Sequence, residues 1–151
     1  MILLQAGIVP PLVTLLQSTS DVTITQAADA VYALSFDGMC MRKYHSDNTV
    51  EQCAQHIRSA GAVKSLAARL SSRSDAVLRA CIQALMNLLA HGTIVQMNSD
   101  GSYFTDAVSA RRVREYASIP VLVRLLDHAS PGIQRCAAGC LLWCSYDGTY
   151  M

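Results

Sequence analysis

The sequence predicts an all-α protein built as a solenoid of about three stacked three-helix repeats. The first observation is recurrence. A shift of 54 sets AGIVPPLVTLL (6–16) on AGAVKSLAARL (60–70), and a further 56 brings in YASIPVLVRLL (116–126). The second is that the following segments keep those offsets: QAADAVYALSFDG (26–38), ACIQALMNLLAHG (80–92) and CAAGCLLWCSYDG (136–148). The third is that apolar residues within each segment fall at helical spacing. Units repeating at such a period bury their apolar faces by stacking on one another.

In the first unit, residues 6–16 form a short helix and 26–38 a longer one that ends near Gly38. The second unit adds a leading helix, NTVEQCAQHIRSAG (48–61), where Asn48 and Glu51 make a capping box. Its short helix follows at 60–70 and its long helix at 80–92, with Gly92 as the terminator. The third unit opens with TDAVSARRVREYAS (105–118), then places Ile119, Leu122, Val123, Leu125 and Leu126 on one short apolar stripe. Ser130 as N-cap and Pro131 at the first helical position start its long helix. Ile133, Cys136, Ala137, Cys140, Leu141 and Cys144 form that helix's buried face, and Gly148 follows it. Glycine after each long helix suits a left-handed C-terminal cap. The expected organisation is one repeat domain over 1–151: repeat 1 over 1–38, an insert over 39–47, repeat 2 over 48–92, an insert over 93–104, and repeat 3 over 105–151.

These three phrase pairs, in fixed order over most of the chain, resemble armadillo repeats. That family's unit has a short first helix, a second opening near Gly-x-(Ile/Val)-Pro, and a long third helix with an A-x-x-A-L pattern. The resemblance implies a right-handed α-solenoid and a non-catalytic protein–protein interaction scaffold. The resembled unit is about 42 residues long, so about 12–14 residues are extra at each joint. They lie in DGMCMRKYHSDN (37–48) and HGTIVQMNSDGSYF (91–104), whose Gly, Asn, Asp and Ser predict loops on one edge of the array.

The resemblance also implies that the third helices line a concave groove for an extended peptide or a partner subunit. Its groove-facing positions are Thr25, Asp29 and Ala33; Arg79, Gln83 and Asn87; Arg135, Gly139 and Trp143. Of these, Asp29, Arg79, Gln83, Asn87, Arg135 and Trp143 are the expected partner-binding residues. The Asn87 amide can donate to and accept from a peptide backbone. Asp29, Gln83 and Gly139 stand where an importin-type array carries tryptophan, which disfavours a receptor for basic signals. Arg79 and Arg135 instead offer two guanidinium forks suited to an acidic partner. Trp143, the single tryptophan, is either a groove anchor or a cover for the last repeat.

Composition narrows the rest. Charged residues are only 15% of the chain and hydrophobic ones 52%, so the solvated surface is small. A net charge of +1 gives no global pull toward nucleic acid or a membrane surface, and no apolar run is long enough to span a bilayer. The cluster RRVRE (111–115) reads as a solvated helix face. Cys136, Cys140 and Cys144 align with alanines and leucines of the other units, so they read as core rather than as a metal site. His45, His56, His91 and His128 share no metal spacing, and no metal or cofactor is expected. Cys40, near Tyr44 and His45, is the one cysteine in a setting that permits reactivity, and no motif of an enzyme accompanies it. Reduced thiols fit a cytoplasmic setting, with the nucleus as the other compartment. Met1 falls within the first unit and Met151 follows the last helix at once, so neither end carries a polar cap. The alternative expectation is therefore a structural element that self-associates or stacks end to end, as a homo-oligomer or in a larger assembly.

Overall fold

The computed structural model describes residues 6–35, 49–92, 96–97, 103–104 and 119–145, with side chains described over 6–35, 53–89 and 119–145. Seven α-helices appear among them: α1 (Val9–Leu15), α2 (Asp21–Ser35), α3 (Thr49–Ser59), α4 (Ala62–Ala68), α5 (Asp75–Gly92), α6 (Ile119–Leu125) and α7 (Pro131–Ser145). A turn of 3-10 helix, Arg69–Ser71, prolongs α4. The fold is an α-solenoid. The long helices α2, α5 and α7 stand side by side with α5 in the middle, and α1, α4 and α6 form the row of short helices.

The repeat is visible in the hydrogen bonds as well as in the helices. Before each long helix a side chain two residues ahead of the N-cap accepts the N-cap's own N–H. Ser20 donates to Ser18 Oγ, Ser74 to Ser72 Oγ and Ser130 to His128 Nδ1, each at 3.1 Å. The N-cap carbonyls then take the first helical bonds, from Ile24, Leu78 and Gln134. These side chains satisfy backbone groups that a helix start otherwise leaves to water. Pro131 is the first residue of α7, where its missing N–H costs nothing.

Among the described residues, glycine takes up left-handed backbone at helix entries. Gly92 is the last residue of α5 rather than the first beyond it, while Gly38 and Gly148 lie outside the described residues. Left-handed backbone occurs instead at Gly7 (φ 71°) and Gly61 (φ 90°), register partners just before α1 and α4. The sharp entries into α1 and α4 need a residue that tolerates positive φ. The "AG" opening the recurrent phrase is thus a backbone requirement.

The core runs continuously from one repeat to the next. Leu16, Val31, Ile57, Leu66, Leu70, Leu85, Leu88, Leu122 and Ile133 are all buried within it. Cys81, Cys136, Cys140 and Cys144 belong to the same core, and the five described cysteines are free thiols. Burial pushes the Cys81 thiol up to about 12 and raises Cys140 well above the usual thiol range. Among the described residues no group of His, Cys, Asp and Glu is placed to hold a metal ion. None of the described helices is long and apolar enough to cross a membrane.

One feature departs from a purely helical chain. Gln96–Met97 pairs antiparallel with Tyr103–Phe104, within an insert expected to be loop. Tyr103 and Phe104 favour extended backbone, and Asn98, Asp100 and Gly101 between the two strands are turn formers by type. The insert over 39–47, with Cys40, Tyr44 and His45, and the expected helix over 105–118 lie outside the described residues.

Candidate functional site

The long helices run in the same direction, which is what places equivalent residues in rows. At the start of α5, Asp75 meets His128, just ahead of α7, at 3.5 Å. Farther along, Met86 meets Gly139, while Asn87 meets Ser35 at the end of α2. Neighbouring helices packed this way lie about 10 Å apart, within the span of a peptide lying across them.

The six sequence-predicted residues all sit on these three helices. Asp29 on α2, Arg79 on α5 and Arg135 on α7 are exposed. Gln83 and Asn87 on α5 are half-buried, and so is Trp143 on α7, which packs against the core. Arg79 and Arg135 are register partners on adjacent helices, and each follows the N-cap of its helix by five residues. Their counterpart Thr25 turns its hydroxyl back to the Asp21 carbonyl at 2.8 Å.

Asn87 has a structural tie that the sequence did not announce. Its Nδ2 donates to Ser35 Oγ at 3.0 Å, and the Ser35 hydroxyl donates to the Val31 carbonyl at 2.7 Å. Ser35 is fully buried, so this pairing satisfies a polar group inside the junction of the first two repeats. The register column, Ser35, Leu89 and Ser145, gives no signal that Ser35 would be buried and tied to Asn87.

Gly139, assigned by resemblance to the groove, is instead a contact between repeats. A Cβ built there would lie 2.6 Å from Met86 Sδ and 3.2 Å from its Cγ. Glycine lets α7 approach α5, and Cys140 completes the contact with its sulfur 3.8 Å from the Ile82 carbonyl.

Two arginines that drew no attention in the sequence prove structural. Arg58 is 5% exposed and donates from Nη1 to the Leu88 carbonyl at 3.3 Å, joining α3 to the end of α5. Arg69 donates from Nε to Leu16 O at 2.9 Å and from Nη2 to Ser18 O at 3.2 Å. It thereby caps carbonyls left unpaired beyond α1, where a cation is favoured. A cleft of about 490 Å³ opens beside it between α1 and α4, lined by residues such as Val13, Leu16, Gln17, Lys64 and Arg69. None of the six expected partner-binding residues lines that cleft.

The Armadillo/beta-catenin-like repeat family matches residues 1–35 of the chain. No curated protein matches it. Among solved structures, a designed armadillo repeat protein is similar with a TM-score of 0.69 at 22% identity, over 94% of this chain and 49% of its own. An engineered protein is similar with a TM-score of 0.67, also at 22% identity, over 89% of this chain and 44% of its own. The chain thus spans about half the length of these two structures. Residues 1–35 thus match an armadillo repeat, and the stacking of its helices gives the chain the fold of designed armadillo repeat proteins.

Proposed function

We propose that the chain is a non-catalytic interaction scaffold that holds an extended peptide or a partner subunit along the face of α2, α5 and α7. The observation that carries this is the row arrangement: three long helices in parallel, presenting Asp29, then Arg79, Gln83 and Asn87, then Arg135 and Trp143. An extended strand crossing such helices meets side chains at regular intervals and can be held by a few polar contacts and one aromatic anchor. Arg79 and Arg135, exposed on adjacent helices, favour carboxylates and hence an acidic partner. Asn87 has one N–H engaged with Ser35; its second N–H and its carbonyl oxygen are the groups it turns on a backbone. A cytoplasmic or nuclear protein partner fits this chemistry.

The test is binding of a ten-residue polyglutamate peptide, followed by fluorescence anisotropy. Charge reversal at both positions, Arg79→Glu with Arg135→Glu, should weaken capture at least tenfold, and raised salt should weaken the wild type in parallel. Equal affinity in the reversed variant would remove the acidic partner. Asn87→Ala with Trp143→Ala tests the groove itself. If that variant captures the same proteins from a lysate as the wild type, the groove is not the binding surface.

A second reading, an element that stacks end to end, is favoured by the apolar residues exposed on α6 and α7. These are Val123 on α6, Leu126 just beyond it and Leu142 on α7.

A further inference from the structure

The cleft between α1 and α4 departs from the repeat pattern in the chemistry of its walls. Three of its lining residues, Lys64, Ser65 and Arg69, are polar. Their register partners are Pro10, Pro11 and Leu15 in the first unit and Pro120, Val121 and Leu125 in the third. The helical frame therefore forms with apolar side chains at all three positions, and only the second unit sets two cations and a hydroxyl there. Arg69 has a structural task in its clamp on Leu16 O and Ser18 O. Lys64 and Ser65 make no side-chain hydrogen bond or ion pair among the described residues, and neither does Gln17 on the opposite wall.

Helical spacing gives these groups a common place. Along α4 and the turn that prolongs it, Lys64, Ser65, Ala68 and Arg69 fall on one face. Across from them stand Val13, near the end of α1, and Leu16 and Gln17 just past it. The two walls border about 490 Å³, within the size range of small-ligand sites. Val13 and Leu16 are buried and supply an apolar floor. The clamp holds the Arg69 guanidinium by Nε and Nη2, which fixes its plane and leaves the Nη1 hydrogens for another acceptor. No aspartate or glutamate lines the cleft among the described residues, so no acidic side chain balances its two positive charges there.

We propose that this cleft binds an organic carboxylate carried on a small apolar body. The carboxylate lies between Lys64 and Arg69, with Gln17 and Ser65 donating to its oxygens, and the apolar body rests on Val13 and Leu16. A planar guanidinium held in place suits a planar carboxylate, and the ammonium adds a second charge-assisted bond. The floor favours an acid with an apolar body over a bare inorganic anion. A free organic acid and the C-terminus of a chain ending in an apolar residue share this chemistry. The site is independent of the proposed binding face on α2, α5 and α7, none of whose six residues lines it.

The test follows the amide NMR shifts of the whole chain during titration with phenylbutyrate, its uncharged amide and inorganic phosphate. Phenylbutyrate should move the signals of Gln17, Gly61, Ser65 and Arg69 saturably, and both other probes should bind at least about tenfold more weakly. A decapeptide ending in leucine, with a free or an amidated terminus, distinguishes the two sources. Tighter binding of the free-ended peptide than of phenylbutyrate assigns a chain end; the reverse order assigns a free acid. Lys64 is exposed, so Lys64→Glu should weaken phenylbutyrate about tenfold and leave the melting temperature unchanged. Ala68→Phe keeps both cations and should abolish binding by filling the cleft. Arg79→Glu with Arg135→Glu should leave binding intact; loss of binding there would place the acid on the long helices and overturn the proposal. So would the absence of a saturable shift at the cleft, equal binding of the uncharged amide or of phosphate, or indifference to both cleft variants.

Discussion

The two junctions of this short solenoid share a backbone frame and one apolar core, and they add different side-chain contacts to it. Between the first and second repeats the shared apolar core is supplemented by polar side-chain contacts. Arg69 clamps Leu16 O and Ser18 O, and Asn87 reaches Ser35. Between the second and third, the register partner of Arg69 is Leu125, which is buried, and the helices close on one another through Gly139 and Met86. Even the turn before the long helix differs: Ser72 serves only its own repeat, whereas His128 both accepts from Ser130 and reaches Asp75 of the preceding repeat. What is repeated is the frame of helices and caps. The side chains that bind one repeat to the next are free to differ, because each junction needs only to fill its volume and satisfy its polar atoms.

Two buried thiols, one in each region, give the largest expected effect, and it appears in alkali. Cys81 is raised to about 12 by burial, with Arg69 lowering it and Asp29 raising it. Cys140, beside Ile82 O, is raised well above 9.0 by burial, with smaller upward contributions from Cys144 and Cys136. In the unfolded chain such thiols ionise near 9, so above that pH the folded state binds more protons than the unfolded one. Stability is then fully present below pH 9 and falls as pH rises from about 9 toward 12. The substitutions Cys81→Ala and Cys140→Ala install the residues that other units carry at those positions, Ala27 with Ala137 and Ala30 with Ala84. Urea unfolding at pH 8, 10 and 11 should show a shallower alkaline decline in the double variant. An unchanged slope would mean that the two thiols already ionise in the folded state.

Next in size is the polar clamp. Arg69→Leu rewrites the first junction in the manner of the second. It removes two charge-assisted bonds to backbone carbonyls and should cost about 1–3 kcal/mol by urea unfolding, since the added apolar contact only partly compensates. A neutral result would show that the two junctions are interchangeable at this position.

The frame was legible in the sequence because it is written three times. Periodicity exposes any residue type that recurs, so the helices and the stacked core could be read from columns such as Leu12, Leu66 and Leu122. Devices used once are invisible to that method. Arg58 and Arg69 drew no attention, since nothing local reveals which distant carbonyls their guanidinium groups reach. Gly7 and Gly61 were overlooked because glycine was sought at helix ends rather than at helix entries. Of the proposed binding face, the helices and their row positions were readable by register. The Asn87–Ser35 tie and the contact of Gly139 with Met86 were not, because both depend on how far one helix is displaced along the next. Arg114 shares the register of Arg58, which marks the basic cluster at 111–115 as a place where a solvated reading deserves a direct test by substitution.

The smallest effect probes the apolar junction. Gly139→Ala adds a methyl group to α7, which favours the helix by about 0.5–1 kcal/mol. The same methyl lands 2.6 Å from Met86 Sδ, so that side chain must swing aside and surrender its contact. The two terms are of similar size and opposite sign, and the net change should stay within about 1 kcal/mol. A double-mutant cycle separates them. With Met86→Ala in place the methyl meets no sulfur, so Gly139→Ala should become clearly stabilising, with a coupling of about 0.5–2 kcal/mol. Additive behaviour would mean that α7 shifts as a body when the methyl is added, and that glycine is not what sets the distance between the second and third repeats.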